Sequence, residues 1–104
     1  MYSYKAEVVR VIDGDTVRLR VDVGFFLTFE QNFRLRGINS PEMPTPAGVE
    51  AKKALADILS WQVSWPIETF KIDKYGRWLV DIEWEPGTVN QLMIDQGFAV
   101  PYNP

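Results

Sequence analysis

The 104-residue chain has the length of one domain, and 46% of its residues are hydrophobic, enough to form a buried core. It contains neither cysteine nor histidine, which excludes disulfides, thiolate zinc sites and every catalytic triad that uses histidine. The net charge of −3 argues mildly against nucleic-acid binding, although all 11 Lys and Arg lie within residues 5–77, and so could form a basic face opposite an acidic end.

The first third of the chain has the period-two alternation of half-buried strands, at Glu7–Ile12, Thr16–Val23 and Asn32–Gly37. The Asp13–Asp15 turn joins the first two as a hairpin, because its central glycine can adopt positive φ. The apolar segment Asp22–Phe29 lengthens the connection to the third strand. We expect it to extend a hairpin that packs over the body of the domain, and a hydrophobic partner surface is the alternative.

A proline-rich stretch, residues 41–46, separates the strands from a helix. The helix is predicted from one apolar stripe with helical spacing, formed by Ala51, Ala54, Leu55, Ile58 and Leu59.

Two further strands are predicted at Val63–Ile72 and Trp78–Trp84. A second helix is expected to begin with a capping box, Thr88 at the N-cap and Gln91 at N3, and to stop at Gly97.

This order of elements predicts a β-barrel with helices, in the α+β class. The specific expectation is an OB-fold, a five-stranded Greek-key barrel with a helix between strands 3 and 4 and a second helix near the C-terminus. No leader or membrane-spanning run is recognisable. We expect one domain that covers residues 1–104, and we expect it to be a monomer. The expected location is the cytoplasm, or outside the cell if a leader has been removed.

Three sequence blocks, Ile12–Val17, Phe33–Glu42 and Asp73–Arg77, occur in an order and spacing that resemble thermonuclease domains, also called staphylococcal-nuclease-like domains. Gly48–Ala51 opens the helix as in that family, and the resemblance covers nearly the whole chain. It implies an OB-fold and a calcium-dependent nuclease that hydrolyses phosphodiester bonds of DNA or RNA.

By this resemblance, Arg34 and Arg77 match the two arginines that clamp the scissile phosphate, and Glu42 matches the glutamate usually regarded as the general base. The residue types suit the chemistry, because an arginine fork binds phosphate oxygens bidentately and stays charged. Both arginines are expected at the surface, so that removing either affects cleavage more than stability. Lys74 and Tyr75 match positions that in the family contact a terminal phosphate and the nucleotide of the substrate.

The implied calcium ligands are Asp15, Asn39 and Ser40, the last through its backbone carbonyl, with Asp13 nearby. Asn39 departs from the family, which commonly has an aspartate there. Calcium accepts amide oxygens, but the site loses one negative charge and hence affinity. A catalytically weakened module that binds nucleic acid or a protein partner is therefore the alternative function.

Overall fold

A computed structural model describes residues 2–71 and 74–103 as a five-stranded barrel with two helices and three two-residue strands. In chain order the elements are β1 (Tyr2–Asp13), β2 (Thr16–Asp22), β3 (Thr28–Leu35), β4 (Ile38–Asn39), α1 (Pro46–Leu59), β5 (Trp65–Phe70), β6 (Trp78–Trp84), β7 (Gly87–Thr88), α2 (Val89–Asp95) and β8 (Val100–Pro101).

The barrel strands follow the order β3-β2-β1-β5-β6, with antiparallel neighbours throughout. A parallel pairing of β3 with β6 closes the sheet on itself, through Phe33–Trp78, Arg34–Leu79 and Leu35–Val80. Closure covers the edges that short strands would otherwise expose. The predicted barrel with two helices is confirmed, and its mixed topology is that of an OB-fold.

The alternating sequence pattern is reproduced by strand burial. On β2, Val17, Leu19 and Val21 are buried in the barrel, while Arg18 and Arg20 lie on the outer face and pair with Glu30 of β3. Successive strand residues point to opposite sides of the sheet, so each strand contributes every second side chain to the core.

The helix α1 packs its predicted apolar stripe against the barrel, and its strongest described contacts are with β1. Four of the five stripe residues are buried, and Ala54 is half-buried. The helix begins earlier than the stripe because the Thr45 hydroxyl caps it, accepting a hydrogen bond from the Gly48 amide, and Pro46 suits the first turn.

The second helix begins and ends as predicted, but only half of its capping box forms. The Thr88 hydroxyl accepts from the Gln91 amide, whereas the Gln91 side chain turns away and donates to Asp95. Gly97, with φ of 82°, ends the helix in the left-handed conformation. None of the described helices is long and apolar enough to cross a membrane.

Asn90, which the sequence places only within the capping box, ties α2 to the barrel. Its buried side chain accepts from the Ile82 amide and donates to the carbonyl oxygens of Arg36 and Val80. One amide group thereby bonds backbone atoms of β6 and of the chain just after β3, and the Val80 carbonyl oxygen also accepts from the Arg36 amide.

The expectation that the apolar Asp22–Phe29 segment packs over the barrel is wrong. The segment does extend the β2–β3 hairpin, but Phe25, Phe26 and Leu27 at its tip are exposed. The tip lies beyond the last paired residues, Asp22 and Thr28, so no strand of the barrel lies beneath it.

Gly48 controls how closely α1 approaches the preceding loop. A β-carbon at this position would collide with the carbonyl group of Glu42 and lie 3.0 Å from the carbonyl oxygen of Pro41. Backbone atoms cannot move aside as a flexible side chain can, so the absence of a side chain sets the position of the Glu42 loop.

We therefore expect Gly48→Ala to lower the free energy of unfolding by about 1–3 kcal/mol, the usual cost of overpacking. Gly87→Ala is the matched control, because its added β-carbon meets nothing within 4 Å and its φ is not positive. Urea unfolding of both variants measures the difference. Equal stability of the two would show that the loop yields to the added methyl group.

Candidate active site

Arg34 is the centre of a polar cluster at the end of β3, and it is only 6% exposed. Its Nη1 donates to the carbonyl oxygens of Leu35 (3.0 Å) and Ile38 (2.8 Å). Its Nη2 donates to Asn39 Oδ1 (3.1 Å) and lies 3.5 Å from Asp15 Oδ2. The expectation of a surface arginine is wrong here, because the chain after β3 curls around the guanidinium and supplies its acceptors.

The β1–β2 turn brings Asp15 to this arginine. Thr16 pairs with Arg34 across β2 and β3, so the residue before Thr16 lies beside the end of β3. Asp15 Oδ2 accepts from the Ser40 amide (3.0 Å), and its Oδ1 accepts from the Thr16 hydroxyl (3.1 Å). The carboxylate thus joins the turn to the segment that follows β3.

Ser40 is buried against Gly14 of the same turn. A β-carbon on Gly14 would lie 2.7 Å from the Ser40 β-carbon and 2.8 Å from its Oγ, so only glycine allows this contact. The Ser40 hydroxyl is buried and has no hydrogen-bond partner among the described residues.

Glu42 lies in the exposed loop beyond Ser40, and the structure fixes its backbone rather than its side chain. Its carbonyl oxygen accepts from the Thr45 amide (3.1 Å) and the Thr45 hydroxyl, and Gly48 packs directly against it. Glu42 itself is exposed to solvent. The position of Glu42 relative to Arg77 stays a prediction.

Lys74, Tyr75 and Arg77 form a second group on the exposed turn that leads into β6; Asp73 lies outside the described residues. The Lys74 ammonium and the Arg77 guanidinium lie 5.2 Å and 5.1 Å from the centre of the Tyr75 ring. Trp78 pairs with Phe33 in the parallel β3–β6 ladder, so Arg77 approaches the strand that carries Arg34.

The C-terminal residues cover the cluster from one side. The β8 strand pairs with β4, and the Tyr102 amide donates to the Gly37 carbonyl oxygen (2.9 Å). The Tyr102 ring lies 5.2 Å from the Arg34 guanidinium carbon, within cation–π distance. An open pocket of about 240 Å³ lies between the segment after β3 and the segment before β8. It is lined by Asn39, Ser40, Pro41 and residues 97–100.

The two aspartates of the β1–β2 turn have shifted pKa values in opposite directions. Burial raises the pKa of Asp13, and its interaction with Asp15 adds to this. Burial would also raise the pKa of Asp15, but hydrogen bonds with Asp13, the Ser40 amide and Thr16, together with the charge of Arg34, lower it overall. Of the two aspartates, Asp15 is thus the one whose ionised form the surrounding groups stabilise.

The oxygen donors of this cluster suit calcium, which prefers carboxylate, amide and carbonyl oxygens. The charge is low, however, because Asp15 is the one carboxylate among the implied ligands Asp15, Asn39 and Ser40, and Arg34 lies 3.5 Å from it. No group of three acidic, histidine or cysteine side chains able to hold a metal ion occurs among residues 2–71 and 74–103. The types of donor in the cluster therefore suit calcium, whereas their total charge is low for a divalent cation.

The sequence did not predict how three residues contribute to this site. Thr16 orients Asp15 through its hydroxyl, Gly14 admits Ser40, and Gly48 positions the Glu42 loop. Only the last carries a usable signal, because a glycine in the first turn of a helix is unfavourable unless the absence of a side chain is needed.

Residues 32–104 match the family described as "Staphylococcal nuclease homologue". The chain is 29% identical to the micrococcal nuclease of Shigella flexneri, over 96% of the chain and 59% of that protein. It is 34% identical to protein ParB of Escherichia coli, over 94% of the chain and 57% of that protein. The identity is 36% to the probable staphylococcal-like nuclease CAN1 of Oryza sativa subsp. japonica, over 73% of the chain and 23% of that protein. The chain thus spans less than three-fifths of these relatives.

The lowered pKa of Asp15 predicts a stability effect that depends on pH. The ionised carboxylate stabilises the fold above the unfolded-state pKa of about 3.9, and this contribution is lost as pH falls through the lower folded value. In the absence of calcium, Asp15→Asn should therefore be less stable than the parent at neutral pH, and the difference should shrink in acid.

Urea unfolding at neutral pH and below pH 4 measures this change. Asp57→Asn serves as control, because Asp57 is exposed on α1 and its carboxylate has no described partner. A stability difference for Asp15→Asn that is the same at both pH values would contradict the assignment.

Proposed function

Because the chain belongs to the family of staphylococcal nuclease homologues, we propose that it is a nuclease that hydrolyses phosphodiester bonds of DNA or RNA with the help of calcium. The observation that carries this proposal is the Arg34 cluster. A guanidinium held by two carbonyl oxygens, an amide oxygen and a carboxylate occupies one barrel end beside an open pocket.

The chemistry of phosphodiester hydrolysis explains why such a group is useful. Water attacks phosphorus, a bond to the leaving oxygen breaks, and negative charge builds on the non-bridging oxygens of the transition state. A cation fixed in advance stabilises this charge without having to reorganise during the reaction. The bonds that Arg34 makes to the protein hold it in one orientation, and a phosphate oxygen would take the place of the Asn39 or Asp15 oxygen at Nη2.

Arg77 supplies the second cation in this proposal, and Glu42 accepts a proton from the attacking water. With no histidine in the chain, a carboxylate is the natural proton acceptor near neutral pH. Lys74 and Tyr75, on the same exposed turn as Arg77, would contact a neighbouring phosphate and a nucleotide. Their cation–π contacts show that charged and aromatic groups already alternate there.

Calcium would be held by the Asp15 carboxylate, the Asn39 amide oxygen and the Ser40 backbone carbonyl, and when bound it would polarise the scissile phosphate. The low charge of this donor set favours weak binding. That same observation supports the second candidate function, a module that binds nucleic acid with little or no cleavage.

A cleavage assay separates the two functions and tests the arginines. With calcium in excess and single-stranded DNA or RNA as substrate, we expect cleavage that a chelator abolishes. Arg77→Ala should reduce the rate by about 10²–10³, the usual cost of losing one charge-stabilising donor, while leaving the free energy of unfolding nearly unchanged because Arg77 is exposed.

Arg34→Lys should reduce cleavage to a similar degree and also reduce stability, since lysine cannot reach both the Leu35 and Ile38 carbonyl oxygens. Arg36→Lys is the matched control, because Arg36 pairs with Asp81 on the barrel exterior. Binding of oligonucleotide without any cleavage would favour the second candidate. Full activity of the folded Arg34→Lys or Arg77→Ala protein would refute the assigned role.

Asn39→Asp tests the metal site. An aspartate offers the same oxygen with a charge, so we expect tighter calcium binding and half-maximal cleavage at lower calcium. Without calcium the added carboxylate would crowd Asp15, partly offset by its contact with Arg34 through the same oxygen. Calorimetric titration of both proteins measures the affinity. Equal or weaker affinity in the variant would mean that residue 39 is not a ligand.

A further inference from the structure

The outer face of the β1–β2–β3 sheet carries charged side chains in cross-strand rows. Residues directly opposite each other in an antiparallel pair project from the same side of the sheet. From the β2–β3 hairpin tip toward the Asp13–Asp15 turn, the rows are Lys5, Asp22 and Thr28, then Glu7, Arg20 and Glu30, and then Arg10, Arg18 and Asn32.

These rows differ in charge. One base and one acid cancel in the row nearest the tip, and two acids outweigh one base in the middle row. The row nearest the turn has two bases and no acid. We call this row, formed by Arg10, Arg18 and Asn32, the arginine row.

A β-bulge in β1 places Arg10 on the outer face. Val8 and Val11 both pack against the core, although residues three apart in a regular strand face opposite sides of the sheet. The register shift that follows Val8 accounts for this, and it leaves the successive residues Val9 and Arg10 both exposed. The position of Arg10 opposite Arg18 is therefore set by the backbone of the strand.

The positive charge of the arginine row is only partly balanced within the chain. Arg18 Nε donates to Glu30 Oε2 (2.8 Å) and its Nη1 donates to Asn32 Oδ1 (2.9 Å). Glu30 also pairs with Arg20 at 3.4 Å, so two guanidinium groups share its single charge.

Arg10 is exposed, and its side chain forms no ion pair within residues 2–71 and 74–103. Like charges directly opposite each other on a sheet are destabilising. The row thus has an excess of positive charge that an external anion would balance.

The arginine row adjoins the proposed active site. Arg18 pairs with Asn32, and Thr16 pairs with Arg34 in the same way, so Arg34 belongs to the next row along the sheet. Two strand residues separate Asn32 from Arg34, which is about 7 Å. One strand of B-form DNA rises about 3.4 Å per nucleotide, so this separation corresponds to about two nucleotides.

We propose that the arginine row binds a backbone phosphate of the nucleic-acid strand whose scissile phosphate lies at Arg34. The position of this phosphate rests on the proposed function, whereas the binding of a phosphate by the row does not. Arginine suits the task, because its planar fork matches phosphate oxygens and its charge persists at every physiological pH. A contact to phosphate reads no base, so the row would strengthen the binding of DNA and RNA alike.

The charge pattern also predicts the path of the strand. The middle row, with two acids, repels phosphates, so the strand would cross the sheet at the turn end and not run toward the hairpin tip. The chain's total charge of −3 does not oppose this contact, because salt screens exposed charges beyond about 8–10 Å.

Fluorescence anisotropy with a labelled single-stranded oligonucleotide tests the proposal. Binding is measured over a sodium chloride series with a chelator present, so that no calcium-dependent cleavage interferes. Arg10→Gln should make the slope of log K against log salt shallower by about 0.7, the value for one phosphate contact on a single strand. Lys53→Gln is the matched control, because it removes the same charge from an exposed position on α1 and should leave the slope unchanged.

Arg10→Glu separates binding from stability. It places opposite charges across the β1–β2 pair, so its thermal unfolding midpoint should equal or exceed that of the parent. Its affinity for the oligonucleotide should nevertheless fall below that of Arg10→Gln. A loss of folded structure could not produce these two results together.

The outcomes distinguish this inference from the proposed function. A parent that binds with an Arg10-dependent slope but cleaves neither DNA nor RNA would refute the nuclease and support the phosphate site. A parent that cleaves, with Arg10→Gln and Lys53→Gln binding alike, would overturn the phosphate site and leave the nuclease standing. Failure of the parent to bind the oligonucleotide also overturns the inference, as does equally tight, Arg10-dependent binding of polyglutamate, which would assign the row to acidic peptides.

Discussion

The buried positive charge of Arg34 is the constraint on which the polar end of the barrel depends. A guanidinium withdrawn from water is tolerated only when its donors are bonded and its charge is balanced. The turn after β3 must therefore present the Leu35 and Ile38 carbonyl oxygens inward, and Asp15 must stay ionised. These requirements fix the conformation of residues 35–40, and with it the positions of Asn39 and Ser40.

The same constraint links stability to the proposed chemistry. A phosphate can replace the side-chain oxygens at Nη2, but the backbone carbonyl oxygens at Nη1 remain and keep the guanidinium oriented. Arg34 thereby combines a structural role with the proposed catalytic one, whereas Arg77 is exposed at the surface. The asparagine at position 39 suits this arrangement, because it accepts from Arg34 without adding a second carboxylate beside Asp15 when no metal is bound.

The two ends of the β2–β3 hairpin differ in chemistry. One end joins the polar cluster through Thr16 and Arg34, and the other carries the exposed phenylalanines and an apolar groove. A continuous antiparallel ladder connects them, so the hairpin is rigid, and the two surfaces are held apart.

Much of the fold was predictable because strand and helix periodicities report directly which side chains face a core. The alternation in β2, the stripe in α1 and the stop at Gly97 all appear in the structure as predicted. The three sequence blocks also brought Asp15, Arg34, Asn39 and Ser40 together, since they resemble a family whose site has that arrangement. The roles of these four residues, like those of Glu42, Lys74, Tyr75 and Arg77, remain predictions.

Only the tertiary structure showed that Arg34 is buried and that the phenylalanine tip is exposed. Periodicity describes a residue's neighbours along one element, whereas these two outcomes depend on segments that are distant in sequence. Tyr102 and the β4–β8 pairing cover Arg34, and nothing from the rest of the described chain covers Phe25 and Phe26. Both the burial of a charge and the exposure of an aromatic ring run against residue preference, so only the packing of the whole chain could decide them.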